Sequence, residues 1–591
     1  MIPPLVRHML GDAVRRSAFF GGTNASALVY GSDNDTGYLD AGADPWRRRL
    51  DLDLAIPKPS GAPRDPSRRA LIAAGGLGLA VSAAGAGFAE PASPVASTRT
   101  GRLRGAVDRG VLVFKGVPYG ADTTGRRFLP PRPAPAWSGV RDALAFGPAS
   151  PQTHPPERTS EDCLHLNVWT PALADGGGRP VMVYIHGGAH SHGSGSDPTY
   201  DGVNLCRRGD VVVVTLNHRL SAFGYLYLGL IGGPDLAASG NVGGLDLVLA
   251  LQWVRDNIAA FGGDPGRVMI FGQSGGGDKV GTLMATPAAA GLFHRAATMS
   301  GQAITASGPL HATARAKAIL AALDIPLTQV DALRALRAER LLAACETTDP
   351  VLGKGSIFFG PVLDQVVLQR HPFYPDAPPQ SAAIPMIVGN THDETRYFLR
   401  DPRNFELTWD ELPARLGPEM VVDIDPRYVV ARYRQIYPAY SPSDVFFAAT
   451  TAGRSWRGHL IVAEQRARQK TPTWMYELDF RSPAEGGRLG AFHTLDIPLV
   501  FDNVDKPGAL TGTGPEARAC AAAMSGAFIA LARHGDPNGP GPSGPAAATW
   551  PRYDLNRRPT MIFDTQSHVA DDPRGEERRL FDAVPYTKPG T

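Results

Sequence analysis

The chain has few cysteines and almost no net charge. Only four of its 591 residues are cysteine, and no two of them form a Cys-x-x-Cys pair (Cys163, Cys206, Cys345 and Cys520). So few thiols cannot build a disulfide framework in a chain of this length, and their spacing gives no zinc or redox motif. The formal charge is +2, and the main body contains no long basic run. The composition therefore argues against a nucleic-acid partner.

The balance of residue types is that of a globular protein. Hydrophobic residues make up 43% of the chain and charged residues 20%, which allows a large buried core and excludes a disordered polyampholyte. The length alone does not fix the number of domains, because α/β enzymes often exceed the usual domain size as one unit.

The N-terminal hundred residues differ from the rest. Residues 1–66 show no sustained helical or strand period, so we predict an unstructured N-terminal extension there. Arg68 and Arg69 then precede twenty uncharged residues that are rich in alanine and glycine. This layout resembles a twin-arginine export signal over residues 67–92.

Two other interpretations of that segment stay open. Twenty uncharged residues reach the length of a transmembrane anchor, although leucine and isoleucine are sparse, and a buried glycine-rich helix is the second alternative. We predict export, with cleavage near Ala86 or Ala89 and no stable membrane insertion afterwards. The mature protein would then be periplasmic or secreted, and it would be cytoplasmic if the signal is not used.

The main body of the chain alternates predicted strands and helices. Residues 246–261 form a predicted helix, because apolar residues recur at spacings of four, three and four. Continuous apolar runs bounded by turn residues predict buried strands at 181–185, 211–216 and 268–271, and two short early strands are predicted at 111–114 and 116–119. This alternation favours a mainly parallel sheet with helices on both faces.

A G-x-S-x-G motif follows the last of these strands. Residues 272–276 read GQSGG, and in a nucleophile elbow the serine occupies a strained turn between a strand and a helix. The alternative is a glycine-rich turn that only caps a helix. The preceding strand favours Ser274 as a nucleophile.

A second glycine turn follows the strand at 181–185. Residues 186–189 read HGGA, which suits a loop that offers backbone N–H groups to an oxyanion. His190 and His192 nearby raise the alternative of a metal site. No HExxH motif is present and no carboxylate lies at ligand spacing, so we predict no metal.

Two long stretches then identify a family resemblance. Residues 160–171 (SEDCLHLNVWTP) and 261–277 (FGGDPGRVMIFGQSGGG) are similar to signatures of the type-B carboxylesterases, which include bacterial para-nitrobenzyl-type esterases and animal cholinesterases. Shorter matches are FKGVPY at 114–119, NHRL at 217–220, GNVGGLD at 240–246, HGDPN at 534–538 and WPRY at 550–553. The resemblance implies an α/β-hydrolase domain over residues 93–591, with a mainly parallel sheet, flanking helices and helical insertions over the active site.

The resemblance also implies a catalytic triad. Ser274 matches the family nucleophile and His493, within GAFHTLDIP, matches its general base. Glu394 matches the triad acid, and Asp393 beside it is a less favoured substitute. Thr395 stands where the family usually has glycine, which raises the expectation of an altered turn.

Four further residues acquire roles through the resemblance. Gly188, Ala189 and Gly275 match the backbone donors of the oxyanion hole, and Ser300 matches a serine that hydrogen-bonds the triad acid. An ordinary serine at a strand end is the alternative for Ser300. One family feature is absent, because Ser150 replaces the cysteine that is often paired with the one at Cys163.

The function implied is a serine carboxylesterase that acts on small ester substrates without a cofactor. A relative of this fold that has lost catalysis and acts as a binding or adhesion protein is one alternative, although all three triad positions are filled here. A lipase is another, but residues 401–443 are heavily charged where a lipase would need an apolar lid.

Overall fold

A computed structural model describes residues 93–591, apart from residues 154, 156–157, 541–548, 587, 589 and 591. The predicted N-terminal extension (1–66) and the predicted export signal (67–92) therefore lie outside the described residues.

The described residues contain two sheets. Their strands are β1 (Val95–Ser97), β2 (Arg102–Arg104), β3 (Ala106–Asp108), β4 (Val111–Pro118), β5 (Val140–Asp142), β6 (His165–Thr170), β7 (Arg179–Ile185), β8 (Val212–Leu216), β9 (Gly263–Gln273), β10 (Arg295–Met299), β11 (Met386–Thr391), β12 (Thr473–Leu478), β13 (Pro559–Phe563) and β14 (His568–Asp571). The small sheet has the order β1-β2-β5, and the large one has the order β14-β13-β12-β11-β10-β9-β7-β8-β6-β4-β3.

The large sheet is parallel through its centre. Neighbouring strands are parallel from β8 through β7 and β9 to β13, whereas the pairs at both edges are antiparallel. Helices connect the parallel strands, as crossover connections require. The predicted α/β-hydrolase fold is confirmed by this sheet and by the similarity to solved structures given below.

Fourteen α-helices lie among the described residues. They are α1 (Val203–Gly209), α2 (Ser221–Tyr225), α3 (Val242–Asn257), α4 (Gly275–Ala285), α5 (Pro309–Ala322), α6 (Ala338–Ala344), α7 (Glu394–Phe398), α8 (Leu412–Leu416), α9 (Pro426–Ile436), α10 (Pro442–Thr451), α11 (Arg457–Arg468), α12 (Asp496–Val500), α13 (Pro515–His534) and α14 (Gly575–Asp582). A π-helical turn, Ala452–Trp456, joins α10 to α11.

The observed elements differ from the predicted ones mainly at their ends. The two early strands predicted at 111–114 and 116–119 are one strand, β4, whose pairing with β6 shifts register between Phe114 and Val117. The predicted helix at 246–261 begins earlier, at Val242, and its last turn is a 3-10 helix over Ile258–Phe261. A tightened last turn is common where the final carbonyls of an α-helix lack partners.

Alternating side chains of the central strands pack on opposite faces of the large sheet. Val214 and Ile270 belong to one buried apolar cluster, whereas their neighbours Val213 and Phe271 belong to the cluster on the other side. Because each strand buries both of its faces, its sequence is a continuous apolar run without polar alternation. Within the part of the chain that the structure describes, none of the helices is both long enough and apolar enough to cross a membrane.

Strand register decides where the loops meet. Met299 at the end of β10 pairs with Gln273 on one side and with Gly389 on the other. The residues that follow β9, β10 and β11 therefore lie side by side at the carboxyl edge of the sheet. That edge is where ligands bind in open α/β sheets.

Candidate active site

Ser274 lies on a strained turn between β9 and α4. Its φ of 57° and ψ of −127° are a combination that few non-glycine residues adopt. Its backbone N–H donates to the Met299 carbonyl at 2.7 Å, which ties the turn to the neighbouring strand. A Cβ on Gly276 would overlap the Ile185 carbonyl, so the small residue predicted here is sterically required. The geometry is that of a nucleophile elbow.

The loop after β7 packs directly on this elbow. A Cβ on Gly275 would overlap the backbone of Ala189, so the two segments touch. Gly188 and Ala189 have φ values of 81° and 50°, in the left-handed region. The fold thus brings together the three residues that we predicted as oxyanion donors, although Gly275 is 86 positions away from Ala189 along the chain.

Glu394 contacts His493 inside the protein. Its Oε2 accepts a hydrogen bond from His493 Nδ1, and its Oε1 accepts one from the Thr391 N–H at 3.1 Å. Burial would raise the pKa of this carboxyl, but His493, Ser300 and His459 beside it hold the pKa below its ordinary value. Glu394 is therefore an ionised acid at neutral pH that fixes the proton of the imidazole on Nδ1.

Asp393 faces other partners. Its Oδ2 accepts from the Ala491 N–H at 2.9 Å and its Oδ1 accepts from Arg396 Nε at 3.1 Å. Burial would raise the pKa of Asp393, but His392 and Arg396 hold it well below its usual range. Among the described residues it forms no hydrogen bond with His493, so Glu394 and not Asp393 is the acid that the imidazole meets.

Thr395 has an ordinary helical backbone directly after the acid. It lies in the first turn of α7, which begins at Glu394, so no left-handed backbone and hence no glycine is needed at this position. Its hydroxyl donates to the Phe447 carbonyl at 3.0 Å and lies 2.7 Å from Thr450 Oγ1. Threonine thus links α7 to α10, a contact that glycine could not provide.

The ring of His493 is held from two sides. Gln273 Nε2 lies 3.4 Å from Nδ1 and 3.3 Å from Nε2. The side-chain amide of Gln273 thus contacts the imidazole ring. The Phe398 ring packs with its centroid 4.5 Å from that of His493. These two contacts help to fix the orientation of the histidine.

Ser300 lies next to the triad acid at the end of β10. Its φ is 51°, and its N–H donates to the Gly389 carbonyl at 2.8 Å. Within the described residues its buried Oγ has no partner within hydrogen-bond distance, yet it is close enough to Glu394 to lower the pKa of that carboxyl.

Three buried polar residues near this site were missed by the sequence analysis. Lys279 Nζ donates to the carbonyl of His186 at 3.1 Å, just before the oxyanion loop, and burial lowers its pKa to about 7. Burial and the charge of Glu394 raise the pKa of Asp496 to about 7, and burial lowers that of His459 to about 4. Lys279 could have been recognised in the sequence, because it is a charged residue in an otherwise apolar helix directly after the elbow.

His186, His190 and His218 around the oxyanion loop are buried. His186 stacks on His218 with ring centroids 5.0 Å apart, and burial lowers the pKa of His186 to about 3. Burial also keeps the pKa of His190 well below its usual value. Over the described part of the chain, no three histidine, cysteine or acidic side chains are grouped closely enough to hold a metal ion.

Ser150 occupies the place of the missing cysteine. Its Oγ accepts from the Leu220 N–H at 3.0 Å, and it lies beside Cys163, where it partly offsets the rise that burial causes in the pKa of that thiol. Cys163 is a buried free thiol.

Comparisons with known proteins identify the family of the chain. Residues 92–581 match the model of the carboxylesterase family. The chain is 36% identical to a para-nitrobenzyl esterase of Bacillus subtilis, over 82% of this chain and 98% of that protein. It is 35% identical to a phenmedipham hydrolase of Pseudarthrobacter oxydans, over 81% and 97%. A solved carboxylesterase of Geobacillus stearothermophilus superposes with a TM-score of 0.73 at 41% identity, covering 82% of this chain and 99% of the other.

Proposed function

The chain belongs to the carboxylesterase family and is a carboxylic ester hydrolase, and from this premise we propose that it acts through an acyl-enzyme on Ser274. His493 is the general base, and Glu394 holds its tautomer and stabilises the imidazolium that forms. Gly188, Ala189 and Gly275 supply the backbone N–H groups of the oxyanion hole. Ser300 supports the carboxylate of Glu394.

Acylation begins with a proton transfer. The Ser274 hydroxyl is a weak nucleophile until His493 Nε2 removes its proton during attack on the ester carbonyl. The carbonyl oxygen becomes an oxyanion, and one well-placed N–H donor stabilises it by roughly 3–4 kcal/mol. His493 then gives the proton to the departing alcohol, which leaves an ester between Ser274 and the acyl group.

Deacylation repeats the same steps with water. His493 removes a proton from the water that attacks the acyl carbonyl, and the second tetrahedral intermediate uses the same N–H donors. Collapse returns the proton to Ser274 and releases the carboxylic acid. No metal or cofactor is needed for either half of the reaction.

The contact between Glu394 and His493 carries this proposal. Burying a carboxylate and a histidine together costs desolvation energy. A binding protein derived from the same fold would gain nothing in return for that cost, whereas a hydrolase needs the pair. The strained backbone at Ser274 supports the same conclusion, because such strain persists where function requires it.

Labelling with a fluorophosphonate probe tests the nucleophile directly. We expect one equivalent of label on the wild type and none on Ser274→Ala, because only an activated serine attacks the phosphorus. Ser300→Ala is the matched control, since Ser300 also has a left-handed backbone at this site: it should still take up one equivalent of label, although more slowly because Ser300 supports Glu394. Label that persists in Ser274→Ala would contradict the assignment.

We also propose export through the segment at residues 67–92. The paired Arg68 and Arg69 and the uncharged stretch after them support an inner-membrane signal that is cleaved near Ala86 or Ala89. N-terminal sequencing of protein recovered from the periplasm or the medium should find the new terminus there. Recovery of the uncleaved chain from the cytosol alone would contradict export.

A further inference from the structure

The π-helical turn between α10 and α11 places an arginine close to the proposed active site. This turn covers Ala452–Trp456, and Arg454 lies at its centre with an exposed side chain. Wide turns of this kind are rare and occur frequently at functional sites, because inserting a residue into a helix costs stability. The position of Arg454 in such a turn therefore suggests a functional role for its side chain.

The guanidinium of Arg454 is one aromatic ring away from His493. It stacks on Phe398 with its central carbon 4.6 Å from the ring centroid, and the same ring lies 4.5 Å from the imidazole. The backbone carbonyl of Arg454 accepts from Gln302 Nε2 at 2.9 Å, which fixes the turn above the strand end that carries Ser300.

The charge of Arg454 has no counterion among the described residues. Nearby arginines do have one, because Arg457 pairs with Asp582 at 2.6 Å and Arg400 pairs with Glu485. Burial lowers the pKa of Arg454, and the charges of Glu419 and Glu394 partly offset that change, but neither carboxylate forms an ion pair with the guanidinium within 4.0 Å. The guanidinium is thus a cation without an ion-pair partner among the described residues, and the Phe398 ring lies between it and His493.

The side chain of Arg454 is exposed, so a charged group in solution can reach its donors. A fixed positive charge attracts ions of the opposite sign and raises their local concentration.

We propose that Arg454 selects ester substrates that carry a carboxylate. Its planar donor pair matches a carboxylate in two parallel hydrogen bonds, which makes the recognition geometric as well as electrostatic. Because Phe398 separates the guanidinium from His493, the carboxylate must be several bonds away from the scissile carbonyl. This inference rests on the proposed function, since it names the substrate class of that same site.

Two pairs of isosteric esters test the substrate class. Monoethyl adipate and ethyl adipamate differ only by a carboxylate or a neutral amide on the acyl side, and 6-acetoxyhexanoate and 6-acetoxyhexanamide differ likewise on the alcohol side. We expect the wild type to prefer the carboxylate by on the order of tenfold in kcat/KM in at least one pair, which also tells which half of the ester Arg454 meets. High salt should weaken this preference.

The variants separate recognition from structure. Arg454→Met should bring the ratio of the two kcat/KM values close to one, and Arg454→Lys should keep part of the preference because the charge remains. The matched control is Arg434→Met, which removes an equal charge from an exposed arginine stacked 4.5 Å over Trp409, and it should leave the ratio unchanged. Arg454→Gln repeats the test if the methionine variant is unstable.

Different results would contradict the role of Arg454 and the proposed function itself. Equal kcat/KM for both members of each pair in the wild type would overturn the inference, as would a preference that survives in Arg454→Met and Arg454→Gln or falls equally in Arg434→Met. Hydrolysis of neither the charged nor the neutral esters, nor of 4-nitrophenyl acetate, by the wild type would instead count against the proposed function itself.

Discussion

Replacing Ser274 by alanine is expected to lower kcat for 4-nitrophenyl acetate by about 10⁵–10⁶, and replacing His493 by alanine should cost about as much. The losses are alike because neither group works without the other, since the hydroxyl needs the imidazole to take its proton. For the same reason the double variant should be no slower than either single one. Initial rates with the purified proteins, compared with the rate in buffer alone, measure all three.

The rates can be compared only if the variants fold like the wild type. Ser274 is only partly buried and its side chain is small, so we expect the thermal unfolding midpoint of Ser274→Ala to stay near that of the wild type. His493 is buried against Phe398 and Glu394, so its removal should lower stability as well as activity. Near-wild-type turnover by folded Ser274→Ala would show that another residue is the nucleophile.

Glu394→Gln is expected to lower kcat by about 10⁴, somewhat less than loss of the nucleophile. The amide can no longer stabilise the imidazolium, and its NH₂ group favours the wrong tautomer of His493. The change keeps the size of the buried side chain, so the effect should fall on kcat and leave KM for the ester nearly unchanged.

Asp393→Asn is the matched control for this prediction. Asp393 is also a buried carboxylate and is the adjacent residue, but its partners are His392, Arg396 and the Ala491 N–H. We therefore expect Asp393→Asn to lower the unfolding midpoint while kcat falls less than about tenfold, since no group of the reaction loses a partner. A loss in Asp393→Asn as large as that in Glu394→Gln would mean that the two carboxylates act together on the imidazole.

The sequence by itself determined the features that depend on local order. The buried strands that became β7, β8 and β9 were predicted from continuous apolar runs, because a central parallel strand buries both faces. The elbow at Ser274 was predicted from five adjacent residues, since the strain of that turn requires small neighbours close in the chain. The ends of the elements were less well predicted, because the last turn of a helix depends on what satisfies its carbonyls.

Only the tertiary structure decided between groups whose roles depend on distant partners. The family resemblance favoured Glu394 over Asp393 as the acid, but only the fold showed that Glu394 is the one that contacts His493, 99 positions away. Lys279 gained its contact to the oxyanion loop and Arg454 its position beside Phe398 in the same way. Residue type and spacing record local propensity, whereas the pairing of side chains across the carboxyl edge of the sheet depends on strand order and register, which long-range packing sets.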